Sequence, residues 1–373
     1  MKLIVTNSLV VLILAAHAYA DCDVASLTEA SGTHYNPPAK LCPGDLIFEE
    51  QFDTLDLTIW QHEVTLAGGG NYEFEYYLNN RTNSYVQDGN LHIKPTYLSE
   101  DYGENFLYSG VLDLGNECTN NDNNGCYRQG SETNVLNPIE SARIRTIESF
   151  SFLYGTAIVR AKVPAGDWLW PALWFLPTDF SYGGWPISGE IDLMESRGNK
   201  QFTSPDGVNI GVTQMGSTLH WGTSSETNQY PRTHYEQNNA AGYDQDFHIY
   251  KVVWNPDGFQ FFVDDALIGT VTPPDGGFYE MGQFADSGIP NPWTSGTKMA
   301  PFDKRFHMII NLAIGGTSYF PDGFTNPGGK PWSNTSPTAM TDFWKGKSQW
   351  ESSWNRGTDQ SHFIIDYVQI YAI

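Results

Sequence analysis

Gly189-Glu190-Ile191-Asp192-Leu193-Met194-Glu195 sets three carboxylates among apolar residues that favour an extended chain. Carboxylates are costly to desolvate, so three in an apolar strand call for a reason. Side chains alternate along a strand, so Glu190 and Asp192 share a face. Glu195 is an odd number of residues from both and would face the other way. One extra residue, most simply at Leu193–Met194, bulges the strand and returns Glu195 to the shared face. Two carboxyl groups about 5–5.5 Å apart suit a retaining glycosidase. Taken alone, the same string also fits a solvated strand or helix face, so its neighbours must decide.

The chain of 373 residues has room for one large domain or two small ones. Residues 1–20 read as a secretory signal peptide: Lys2, an apolar run from Leu9 to Ala16, then Ala18-Tyr19-Ala20. No later run is long and apolar enough to span a bilayer. A secreted, extracellular protein is expected, and four cysteines suit that compartment. Cys118 and Cys126 flank one short loop and are expected to pair. Cys22 and Cys42 would then close an N-terminal extension, residues 21–44, although the spacing also permits a crossed connectivity. No cysteine or histidine spacing suggests zinc. Asn80 and Asn334 head Asn-x-Ser/Thr triplets and are candidate glycosylation sites.

A net charge of −23 argues against nucleic acid and anionic membrane as partners. Aromatic residues make up 14% of the chain, 12 of them Trp, which fits either a well-filled core or stacking platforms for sugars. From Asp45 onward, short strand-like runs alternate with Gly, Pro, Asn and Asp turns. Phe259-Gln-Phe-Phe-Val ahead of Asp264-Asp265 reads as a hairpin. There is no long helical period. The expected fold is all-β, a sandwich or barrel, with long loops at its rim.

Just before the acidic stretch comes Gly166-Asp-Trp-Leu-Trp-Pro-Ala-Leu-Trp-Phe-Leu-Pro. Trp168, Trp170 and Trp174 are evenly spaced and share a face on an extended segment, and Trp185 adds a ring on the following loop. Together with Gly189-Glu-Ile-Asp-Leu-Met-Glu-Ser-Arg-Gly-Asn, this segment resembles glycoside hydrolase family sixteen, in its laminarinase (endo-1,3-β-glucanase) branch. Asn83-Ser-Tyr-Val-Gln-Asp-Gly-Asn-Leu, Ser141-Ala-Arg-Ile-Arg-Thr, Thr218-Leu-His-Trp-Gly, Asn311-Leu-Ala-Ile-Gly-Gly and Asp366-Tyr-Val-Gln-Ile-Tyr extend the likeness. The cysteine-bearing extension resembles arthropod members.

The resemblance implies a β-jelly-roll sandwich over residues 45–373 with an open concave cleft. It implies Glu190 as nucleophile, Glu195 as acid/base and Asp192 as the partner that keeps the two at different protonation states. Asn83, Arg143, Arg160, Trp170, Trp174, Trp185 and His220 are the implied substrate-binding residues, with Arg160 near the nucleophile and His220 near the acid/base. For Arg160 and His220 a buried structural hydrogen bond fits equally. Arg197 is expected to pair with nearby acids. Asp366, with the Gly89 carbonyl, matches a structural calcium site of the family, and no cofactor is required. The implied activity is retaining endo-hydrolysis of β-1,3-glucan by a monomer whose partner is the polysaccharide. The alternative is a β-1,3-glucan recognition protein with little or no catalysis. Against that alternative, all three acids are present.

Overall fold

The computed structural model describes residues 22–373, so the expected signal peptide lies outside the described residues. Two antiparallel sheets face each other as a jelly-roll sandwich. Seven strands position the site: β1 (Gly155–Lys162), β2 (Leu169–Pro177), β3 (Glu190–Ser196), β4 (Gln214–His220), β5 (His234–Asn238), β6 (Phe306–Ile314) and β7 (Phe363–Tyr371). The nine-stranded sheet runs Glu29–Ser31, Ser151–Leu153, β6, β2, β3, β4, β5, with Arg143–Arg145 also paired to β6 and Gln61–His62 paired to that short strand. The eight-stranded sheet centres on β1 and β7. Among the described residues, no helix is long and apolar enough to cross a membrane.

Strict alternation builds the core between the sheets. On β1, Ala157, Val159 and Ala161 are buried, while Thr156, Ile158, Arg160 and Lys162 face outward. On β2, Leu169, Leu173 and Phe175 point into the core. Phe259–Val263 forms the expected hairpin, with Asp264 and Asp265 both at positive φ (48° and 65°), as a tight two-residue turn requires. The cysteines pair as Cys22–Cys42 and Cys118–Cys126. The extension does more than hang from its disulfide. Glu29–Ser31 adds an edge strand to the nine-stranded sheet, and Ser26 and Thr28 bond the C-terminal residue Ile373.

Candidate active site

The site lies on β3 and its neighbours β2 and β4. Gly189 opens β3 at φ +84°, a conformation that favours glycine, and a Cβ there would meet the Phe302 ring at 2.9 Å. Glu190 then pairs with His220, and Asp192 with Thr218. The next pair on that side is Glu195 with Gly216, so Leu193 and Met194 together oppose Ser217. On the other side, the register with β2 skips Leu193. This is the bulge that the odd spacing demanded. Ile191, Leu193 and Met194 are buried, while Glu190 and Glu195 stay partly exposed on the opposite face.

Each outer glutamate accepts one indole hydrogen bond: Trp185 Nε1 donates to Glu190 Oε2 at 2.9 Å, and Trp170 Nε1 to Glu195 Oε1 at 2.9 Å. Trp170 lies flat against Tyr319, ring centroids 4.0 Å apart and planes 5° from parallel, a pairing worth about 0.5–1.5 kcal/mol beyond buried area. The indole that holds Glu195 is therefore itself clamped.

Asp192 sits deeper than Glu190, with side-chain exposures of 4% and 16%. Burial, then repulsion from Glu195, pushes the Asp192 carboxyl well above the usual range. Burial, then the charge of Asp192, pushes Glu190 up to about 8. At neutral pH the ligand-free pair therefore keeps protons that isolated carboxylates would lose. The deeper Asp192 is the better holder, because each step away from solvent favours the neutral acid. Once Asp192 is neutral its repulsion disappears, and Glu190 becomes easier to ionise.

His220 Nε2 lies 3.3 Å from Asp192 Oδ2 and 3.9 Å from Glu190 Oε1. Its tautomer follows from its other neighbour. Asn228 Oδ1 accepts the backbone N–H groups of Trp221 and Tyr230, which orients the amide. Asn228 Nδ2 then donates to His220 Nδ1 at 2.8 Å. The neutral imidazole thus carries its proton on Nε2, facing the two acids. Tyr230 stacks on the same ring at 5.2 Å.

A second network supports Trp174. Its Nε1 donates to Asn311 Oδ1 at 2.7 Å, and Asn311 Nδ2 donates to the Tyr77 hydroxyl at 3.1 Å. The Arg143 guanidinium lies 4.6 Å from the Trp174 ring centroid and pairs with Glu63 at 3.3 Å.

Comparison with known proteins agrees with this geometry. The profile of glycosyl hydrolases family 16 matches residues 114–287. A beta-1,3-glucan-binding protein of Penaeus monodon is 47% identical over 340 residues, covering 87% of this chain and 90% of that protein. The chain belongs to glycosyl hydrolases family 16. Another relative, glucan endo-1,3-beta-glucosidase A1 of Niallia circulans, is 32% identical over 282 residues, 73% of this chain and 34% of that one. The catalytic domain of a laminarinase from Thermotoga petrophila shares the fold, with a TM-score of 0.54 at 23% identity over 88% of this chain and 97% of that one.

Within this family 16 chain, several expected site residues lie elsewhere. Asn83 is fully buried, and its amide donates to the Lys94 carbonyl and the Thr96 hydroxyl, so it lines no cleft. Arg160 is on the outward face of β1, in the opposite sheet, where it pairs with Asp366 and covers the Phe247 ring at 4.5 Å. That same pair occupies the expected calcium carboxylate. A cation there would have to displace a guanidinium. Trp168 is wholly buried at φ 70°, a left-handed conformation that breaks the alternation before β2 begins. His220 sits beside Glu190 and Asp192, not beside Glu195. Arg197 finds an aromatic partner in place of an acid, 3.9 Å from the Tyr319 ring centroid, with Nε donating to the Tyr319 carbonyl. Asn334 Nδ2 donates to the Phe320 carbonyl with one of its two N–H groups.

Tyr319, Asn311, Asn228 and Tyr230 escaped sequence reasoning. Asn311 alone carried a signal, as one of two polar residues in the apolar strand Phe306–Ile314.

Proposed function

We propose that the protein is an exported retaining endo-β-1,3-glucanase. The observation that carries this reading is the bulge, which turns Glu190 and Glu195 to one face and leaves each on its own tryptophan N–H. Glu190 attacks the anomeric carbon as Glu195 protonates the departing glycosidic oxygen. Glu195 then takes a proton from water, which attacks the same carbon and releases Glu190. Asp192 holds its proton toward Glu190 in the resting pair, and His220 sets Nε2 3.3 Å from Asp192 and 3.9 Å from Glu190. Trp185 and Trp174 supply partly exposed ring surface for a neutral glucan. Export is supported by the two disulfides and the leader-like first 20 residues.

The experiment is product analysis on laminarin, with the anomer followed by proton NMR. New reducing ends that first appear as the β-anomer are expected. Release of the α-anomer first would overturn the retaining mechanism. The second reading, recognition of glucan without cleavage, is favoured by one observation: the 47%-identical relative is named a glucan-binding protein. Saturable laminarin binding with no reducing ends released would establish it.

A further inference from the structure

On the sheet opposite the cleft, three ligand-type side chains meet that the proposed chemistry does not use. His92 lies on the strand Asn90–Ile93, whose neighbours Leu91 and Ile93 enter the core, so its ring faces outward. That strand pairs with the start of β7, His92 opposite Ile364. Asp359 and His362 sit three residues apart on the single 3₁₀ turn that leads into β7, and the His362 N–H closes that turn on the Asp359 carbonyl.

The ligand atoms converge. His92 Nδ1 lies 3.3 Å from His362 Nδ1, and His362 Nδ1 lies 3.4 Å from Asp359 Oδ1. All three fall within 4.8 Å of one another. In a tetrahedral zinc site with bonds of about 2.0–2.1 Å, neighbouring ligand atoms are separated by about 3.3–3.4 Å. Both measured separations match that edge. The rings are also fixed. Tyr85 stacks on His92 at 5.2 Å and 12°, and His362 meets both rings edge-on. The Tyr85 hydroxyl lies 3.4 Å from His362 Nδ1.

We propose that His92, Asp359 and His362 form a binding site for a divalent transition-metal ion, zinc by its donor set. Two imidazoles and one carboxylate suit zinc, and hard calcium, which seeks oxygens, is a poor match. Both rings are buried, with exposures of 3–4%, while Asp359 is half exposed and gives the ion a way in. A water or the Tyr85 phenol completes four-coordination. The ion would staple the strand Asn90–Ile93 to the turn before β7, a structural role in the sheet opposite Glu190. Lys162 acts on both rings and Lys94 on His362, and both oppose the ion's charge.

The test is calorimetric titration of the chelator-treated full chain with zinc chloride at pH 7.5, beside thermal unfolding with and without the ion. One equivalent should bind and raise the melting temperature. His92→Gln should abolish that binding, and Asp359→Asn, on an exposed turn, should weaken it at least tenfold while the apo protein melts as before. Glu190, Asp192 and His220 form a second convergent group. Binding that survives His92→Gln but is lost in His220→Gln would overturn the proposal and place the ion in the cleft. Absence of saturable binding, or wild-type affinity in Asp359→Asn, would overturn it outright.

Discussion

Glu190 pays for its position with stability. Its raised pKa means that the folded state prefers the neutral acid, so the stability it contributes is full below about 4.5 and drains away as pH rises toward about 8. Glu190→Gln should therefore remove hydrolysis by at least about a thousandfold, yet stabilise the fold at pH 7 by on the order of 1–3 kcal/mol, read from denaturant unfolding. A variant that is inactive and less stable would contradict the electrostatics. Asp192→Asn makes a separate statement about the pair. Because Asp192 already holds its proton while Glu190 ionises, the neutral amide should leave the acidic limb of kcat/KM in place; a limb that moves to lower pH by about one unit would show that Asp192 is charged beside Glu190. Asn228→Ala tests the imidazole. Freed of its amide donor, His220 can place its proton on Nδ1, and kcat should fall about tenfold with KM little changed, whereas a merely structural loop residue would change stability and leave that split untouched.

At the scale of elements, the bulge on β3 decides everything downstream. Its existence was legible in the five-residue spacing, because a period of two leaves no other way to bring Glu195 round. The tryptophans were legible only in part. Even spacing places Trp170 and Trp174 correctly, but Trp168 precedes the strand at a left-handed φ, which alternation does not foresee. Arg160 was misplaced for another reason: a strand pattern gives a residue's face but not which sheet the strand joins. Asn83 needed still more, since its burial depends on Glu140, 57 residues away in the chain. The extension is a separable element. Its disulfide closes a loop of 20 residues in sequence separation, and Cys22→Ser with Cys42→Ser should cost about 3 kcal/mol in chemical denaturation. The edge strand it anchors lies at the far end of the sheet order from β3, so kcat on laminarin should stay within about twofold of the parent.

The molecule as a whole carries a formal net charge of −23, and the proposed substrate is neutral. Recognition through rings and hydrogen bonds should be indifferent to ionic strength, while self-repulsion of the fold should not. Between about 50 and 500 mM sodium chloride, KM for laminarin should hold steady and the melting temperature should rise. A KM that climbs steeply with salt would point to an electrostatic partner.

Trp185 has one more consequence. Of 12 tryptophans it alone is exposed, at 44% of its surface, and its N–H rests on Glu190. The other indoles, shielded to different degrees, emit toward the blue, so red-edge excitation would single out this one ring. A sugar settling over it would shift its emission toward the blue. Ionisation of Glu190 would alter its quenching with no sugar present. The molecule thus carries an intrinsic optical gauge of both occupancy and charge beside Glu190, readable without a dye.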